Sequence, residues 1–137
     1  MSGVRKLGTG GRREDLDGRY FRSMWEANWA RYLNWLQHIG EIQRWAYEPR
    51  TFYFHGIKRG SRSYTPDFQV VNRDSSIEYH EVKGWMDPQS ATKLKRMRKY
   101  YPQVTVILVD QAAYAAVARQ LRRFIPRWES APEQHHC

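Results

Sequence analysis

Two short stretches carry acidic and basic residues at a spacing that can do chemistry. One is Thr65-Pro66-Asp67-Phe68, and the other is Glu81-Val82-Lys83, which places Glu81 fourteen residues after Asp67. Two carboxylates on neighbouring strands can converge on one divalent cation, because Mg²⁺ takes oxygen ligands and commonly uses one or two carboxylates with waters and phosphate oxygens. The backbone carbonyl of Val82 falls between them. Lys83, two residues past Glu81, shares its strand face, where an ammonium can hold an attacking water and offset charge on a phosphate. These are the parts that phosphodiester hydrolysis with Mg²⁺ or Mn²⁺ as cofactor requires. Plainer uses exist: Pro66-Asp67 suits a strand-edge turn, and Glu81 with Lys83 suits an exposed ion pair worth little. The catalytic use gains from context, since the acids fall on consecutive predicted strands and a basic helix follows at once.

The elements that must position these residues are legible from periodicity. Trp25, Trp29, Tyr32, Leu33, Leu36 and Ile39 recur at three- and four-residue spacing, which predicts a helix over 23–39 closed by Gly40. Residues 45–54 and 63–71 read as two strands of a hairpin, with Arg59-Gly60 as turn chemistry between them. After a turn at 72–75, residues 77–84 read as a third strand, with Ile77, Tyr79, Glu81 and Lys83 on one face and Glu78, His80 and Val82 on the other. Asp87 as N-cap and Pro88 at the first helical position start a helix that runs to about Tyr101, before Pro102. The almost wholly apolar run from Val104 to Val109 predicts a central strand covered on both faces. A last helix over 111–125 ends at Pro126, with Tyr114, Val117, Ala118, Leu121 and Ile125 inside. This is an α/β order: helix, three strands, helix, strand, helix, with a mixed central sheet flanked by helices.

Length and charge bound the function. A chain of 137 residues with 41% apolar content supports one domain, read here as 19–128, after a flexible basic arm at 1–18 and before a disordered tail at 129–137. A net charge of +9 suits a partner that is a polyanion, DNA above all, and no run is apolar enough for a membrane span. Cys137 is the single cysteine, which excludes an intrachain disulfide and a cysteine zinc cage and suits a reducing, cytoplasmic setting. The first residues carry no apolar stretch of the secretory type. His135, His136 and Cys137 are assigned no role.

The residues Pro66-Asp67 and Glu81-Val82-Lys83, in this order of elements, resemble the PD-(D/E)xK nuclease superfamily over about residues 20–125. That resemblance implies a restriction-endonuclease-like fold and Mg²⁺-dependent cleavage of DNA. The stretches Phe21–Asn28, Tyr47-Glu48-Pro49, Tyr64–Asp67 and Glu81–Trp85 are similar, more narrowly, to phage endonuclease I-like Holliday-junction resolvases and to TnsA-like transposon nucleases. Position by position, the resemblance implies Asp67 and Glu81 as metal ligands, Lys83 as catalytic lysine and Glu26 completing the acidic cluster. It also favours branched DNA as substrate, in a bacterial or phage-infected cell. Ser23-Met24-Trp25-Glu26 is equally a capping box, in which Glu26 satisfies the Ser23 N–H, so the residues alone favour a cap and the resemblance a site.

Lys93, Arg96 and Lys99 on the basic helix are candidate DNA contacts, with Trp85 placed to stack on a base. Arg119, Arg122, Arg123 and Arg127 form a second basic group at a helix C-terminus, which the helix dipole alone explains. His80 is expected to be a structural or surface histidine. A homodimer is expected, because paired cuts need paired sites. Two rival functions remain: a non-catalytic nucleic-acid-binding module, and a nuclease subunit active only with a partner.

Overall fold

The computed structural model describes residues 9–130. β1 (Thr9–Arg13) and β2 (Arg19–Ser23) form an antiparallel hairpin joined by the 3-10 turn Glu14–Leu16. Residues 9–18 are therefore not the flexible arm that their glycines suggest, while residues 1–8 lie outside the described part. Glycine is used here for close approach: a Cβ at Gly10 would collide with the Tyr20 hydroxyl across the hairpin. The hairpin feeds directly into α1 (Met24–His38), where Ser23 Oγ accepts the Glu26 N–H at 3.1 Å as the N-cap. At the other end Gly40 sits at φ +82°, and the Glu41 and Gly40 N–H groups close back on the carbonyls of Leu36 and Gln37. This is the glycine-dependent C-terminal motif that the position of Gly40 predicts.

Four strands make the main sheet, in the order β3 (Ile42–Tyr47), β6 (Phe68–Asn72), β7 (Ile77–Val82), β8 (Thr105–Val109). β3, β6 and β7 are antiparallel neighbours, and β8 is parallel to β7 through the crossover helix α2 (Pro88–Tyr100). The two strands expected at 45–54 and 63–71 are each broken in two. β3 ends at Tyr47, Glu48 takes φ +49° before Pro49, and β4 (Phe52–Tyr53) restarts out of the sheet. β4 pairs only with β5 (Ser63–Tyr64), and Thr65-Pro66-Asp67 then separates β5 from β6. Proline cannot donate to a ladder, so both breaks fall where the backbone loses a donor.

β8 is an edge strand, with Ile107 and Leu108 still 39% and 37% exposed, and not the doubly covered central strand expected. A run of β-branched residues reports strand propensity, but it does not report how many neighbours the strand has. α3 (Gln111–Leu121) follows β8, and the last turn expected of it tightens into the 3-10 turn Arg122–Phe124 before Pro126.

The sheet separates two cores. Phe68, Val70 and Val82 pack with Phe21, Trp29 and Leu33 of the β2–α1 segment and Tyr114 of α3, whereas Tyr79 packs on the other side with Phe52, Phe54, Tyr64 and Met97 of the β4–β5 hairpin and α2. The alternation read along β7 thus holds, with Val82 and Tyr79 serving opposite layers. Glu129, expected in the disordered tail, is fixed against α1. Its carboxylate meets Arg13 and Arg31, its N–H donates to Asn28 Oδ1, and its carbonyl accepts from Asn28 Nδ2. Residues 131–137 lie outside the described part. No helix among the described residues is long and apolar enough to cross a membrane.

Candidate active site

The site begins with a missing hydrogen-bond donor. β6 and β7 run in register from Val71 opposite Ile77 to Phe68 opposite His80, so Asp67 would come opposite Glu81 and the next hydrogen-bonded pair would set Pro66 opposite Val82. Lys83 N–H bonds the Val109 carbonyl on the β8 side, which turns the polar groups of Val82 toward β6. Pro66 has no N–H to return to the Val82 carbonyl. Asp67 Oδ2 instead takes the Val82 N–H at 2.8 Å, and this fixes a buried carboxylate beside a carbonyl that the ladder does not serve. The Pro-Asp pair is thus an ordered end to the β6–β7 ladder.

Glu81, one residue before Val82, points into the same cleft and accepts a 2.7 Å hydrogen bond from Tyr64 Oη. Glu26, in the first turn of α1, is buried and accepts from Tyr47 Oη at 2.6 Å, and its carboxylate turns toward the cleft. The contested capping box is therefore divided. Ser23 caps the helix with its own hydroxyl, and the Glu26 side chain belongs to the acidic cluster. Arg22 stands among these acids, with Nε 3.3 Å from Glu26 Oε2, Nη1 2.6 Å from Glu48 Oε2 and Nη2 2.9 Å from Asp67 Oδ1. The cleft has a volume of about 520 Å³, and Lys83, Ser90 and Lys93 complete its wall.

Charge in this cleft is crowded. Burial, then the neighbouring Glu81 and Glu26, push the Asp67 carboxyl up to about 8, against the opposing pull of the Val82 N–H and Arg22. Burial likewise raises Glu81 above the ordinary carboxylate range, although the Tyr64 hydrogen bond and Lys83 act the other way. Tyr64 and Tyr47 are raised as well, first by burial and then by the carboxylates they bond, so both stay protonated donors. Arg22 loses some hydration, which alone would weaken its charge, yet Glu26 and Glu48 more than compensate. Among the described residues no three His, Cys, Asp or Glu side chains form a ready-made metal cage. The donor set nevertheless fits a hard divalent cation: it is all oxygen, and burial raises both Asp67 and Glu81 above the ordinary carboxylate range, which a bound cation would relieve.

The structure brings Asp67, Glu81, Val82, Lys83, Glu26 and Lys93 to one cleft. Lys83 Nζ lies 3.3 Å from Asp87 Oδ2, a half-exposed contact that is weak and easily exchanged. Arg96 and Lys99 do not join that cleft. Arg96 Nη1 is held by the Ser61 carbonyl, and Lys99 lies over the Tyr100 ring. Trp85 is 75% exposed just beyond Lys83, at a position free to meet a partner. His80 is structural: Trp29 Nε1–H donates to its Nδ1 at 2.9 Å, its Nε2 meets Glu78, and burial holds it neutral. Arg22, Glu48, Tyr47 and Tyr64 are site residues to which no individual role was attached from sequence. Arg22 lies in the Phe21–Asn28 stretch with Glu26 and Tyr64 in the Tyr64–Asp67 stretch with Asp67, whereas Tyr47 and Glu48 lie in a stretch that carries no predicted site acid.

Fold and cleft together define a mixed α/β domain with an acid-lined, lysine-rimmed cleft at the end of its central strands. The chain belongs to the family described as protein of unknown function (DUF1064), whose model matches residues 10–115 and so spans every residue of the cleft. No curated protein and no solved structure matches the chain.

Proposed function

We propose that this protein is a metal-dependent DNA endonuclease of restriction-endonuclease-like fold. The observation that carries the reading is the buried acid Asp67 beside the partly buried Glu81 in an open cleft rimmed by Lys83 and Lys93 on a strongly basic chain. A carboxylate with a raised pKa is costly to the fold unless a cation uses it, which is why perturbed acids in a cleft point to a site. Asp67, Glu81 and the Val82 carbonyl would hold Mg²⁺ or Mn²⁺, with Glu26 as the further acid. The bound cation would polarise the phosphate and lower the pKa of a water. Lys83, once released from Asp87, would orient the attacking water and offset the phosphate charge. Lys93 lines the cleft and Trp85 is exposed two residues beyond Lys83, so Lys93 would contact a phosphate and Trp85 would be free to stack on a base.

Branched DNA, such as a four-way junction, is the substrate we favour, through the resemblance to junction resolvases, with a homodimer supplying two cuts. The test is incubation of the purified protein with Mg²⁺ or Mn²⁺ and four-way junction, flap, duplex and single-stranded DNA. Cleavage of one or more is expected, and the absence of any product rejects the proposal for the isolated chain. One observation favours a second reading. Arg22 already neutralises part of the acidic cluster, as a non-catalytic DNA-binding module would require. Calorimetry separates the two, because a pure binder takes up DNA without taking up Mn²⁺.

A further inference from the structure

Arg22 projects from β2, one residue before the N-cap of α1, and its side chain is 52% exposed while Glu26 and Asp67 beneath it are almost fully buried. Each of its three nitrogens faces a different carboxylate, on α1, after β3 and before β6. Its plane also lies against the Tyr47 ring, with the guanidinium carbon 5.9 Å from the ring centroid. Of the two Asp67 oxygens, Oδ2 is tied inward to the Val82 N–H, and Oδ1 is the one that Arg22 holds. Glu26 repeats the arrangement, with Oε1 on Tyr47 and Oε2 on Arg22. Arg22 therefore occupies the outward oxygen of both buried acids that it touches.

We propose that Arg22 is a resident counter-cation, which offsets the charge of Glu26, Glu48 and Asp67 until a divalent cation takes the outward oxygens of Glu26 and Asp67, and that the released guanidinium then binds a phosphate of the nucleic acid. The inference rests on the metal-dependent reading above. A buried acid cluster without a cation is unstable, and a half-exposed arginine offsets it without sealing the cleft. Guanidinium also suits the second role, since its planar fork matches phosphate oxygens in pairs and its exposed half already faces the cleft mouth. The two occupants compete for the same oxygens, so Arg22 tunes metal affinity downward and couples metal uptake to the presence of nucleic acid.

The test is calorimetric titration of Mn²⁺ into DNA-free wild type, Arg22→Gln and Arg22→Lys, with circular dichroism as a folding control. Arg22→Gln is expected to bind Mn²⁺ about three- to tenfold more tightly than wild type, with Arg22→Lys in between. In the presence of Ca²⁺, Arg22→Gln is expected to bind duplex DNA with a salt dependence shallower by about one phosphate contact. Equal or weaker Mn²⁺ binding by a folded Arg22→Gln overturns the inference while leaving the metal reading intact. If Arg22→Gln does not fold, the comparison between wild type and Arg22→Lys decides in the same way. Mn²⁺ binding by none of the three proteins overturns the metal reading, and the inference with it.

Discussion

Asp67 Oδ2 accepts the Val82 N–H at 2.8 Å, where the β6–β7 ladder would otherwise continue through Pro66. One side chain thereby does two jobs. It replaces a backbone acceptor that the strand break removes, and it holds a carboxylate in a place that water scarcely reaches. The first job needs only an oxygen, and the second needs a charge.

Asp67→Asn separates them. The amide oxygen still accepts the Val82 N–H, but the buried negative charge is gone. If Asp67 holds the cation as proposed, the variant is expected to lose DNA cleavage by about a hundredfold or more. In metal-free buffer its melting temperature should rise by several degrees, because a carboxyl pushed up by burial is a burden to the folded state. Added Mn²⁺ should stabilise wild type and not the variant. Thermal melts with EDTA and with Mn²⁺ check both points, and a less stable apo variant would contradict the account of Asp67.

The pH dependence has a definite sign. The Asp67 carboxyl is raised from 3.8 to about 8 in the folded protein, so its contribution is fully present below its unfolded value and is lost as pH climbs through the folded one. His80 acts oppositely, since burial lowers it and its contribution is lost as the solution becomes acidic. Subtracting Asp67→Asn from wild type cancels His80. In EDTA, urea midpoints at pH 5, 6, 7 and 8 should show a stability gap in favour of the variant that widens with pH to more than about 1 kcal/mol. Parallel midpoints across that range would show that Asp67 is not the titrating group.

Ser23 and Glu26 can be told apart by the same logic. Ser23→Ala removes the side-chain acceptor for the Glu26 N–H and is expected to cost about 1 kcal/mol of stability with metal affinity retained. Glu26→Gln keeps the oxygen that Tyr47 bonds but gives up the charge and the weak 3.3 Å Arg22 contact, so it should weaken Mn²⁺ binding and lower the urea midpoint by less than Ser23→Ala does. A stability loss for Glu26→Gln equal to that of Ser23→Ala would return Glu26 to a capping role.

What sequence showed well was whatever local pattern decides. The α1 boundaries followed from Ser23 and Gly40, the α2 start from Asp87-Pro88, and the alternation of β7 from Tyr79, His80 and Val82. What it missed depends on distant partners. β1 has two glycines and no apolar stripe, and it becomes a strand only because Tyr20 and Phe21 fold back over it. The run Thr105–Val109 has the composition of a central strand but is placed at the sheet edge. At the site, Asp67, Glu81 and Lys83 were visible because they lie on elements near in sequence. Arg22 and Glu48 lie in stretches that carry the resemblance, but their place in the cleft was not legible, because only tertiary contact joins β2 and the turn after β3 to Asp67.

Positive residues on α2 should divide by their present engagements. Lys93 lines the cleft, whereas Arg96 is held by the Ser61 carbonyl beside the β4–β5 hairpin. Lys93→Ala is therefore expected to weaken DNA binding and to reduce the slope of log K against log salt by about one, with unchanged stability. Arg96→Ala should leave that slope alone and lower the melting temperature. Fluorescence anisotropy with duplex DNA from low to moderate salt reads both slopes. If Arg96→Ala changes the slope and Lys93→Ala does not, the DNA path runs along the outer face of α2 and away from the acids.

Arg31 tests how far the site depends on its support. Its guanidinium is buried and bidentate to Asp15, at 2.8 and 3.0 Å, and it reaches Glu129 at 2.7 Å and Asn28 at 3.0 Å. It thereby ties the turn after β1 and the segment after Pro126 to one face of α1, while Glu26 and the cleft lie at the N-terminal end of the same helix. Arg31→Ala leaves Asp15 without its main counter-charge and Glu129 with Arg13 alone, and, with solvent screening part of the lost charge, a loss of about 1–3 kcal/mol is expected. The cleft contains no atom of this network, so Mn²⁺ affinity measured below the lowered melting transition should match wild type. Equal stability of wild type and Arg31→Ala would mean that solvent already screens these charges. A lost Mn²⁺ affinity in a folded Arg31→Ala would mean that the N-terminus of α1 is positioned from its far end, through the helix and not through β2.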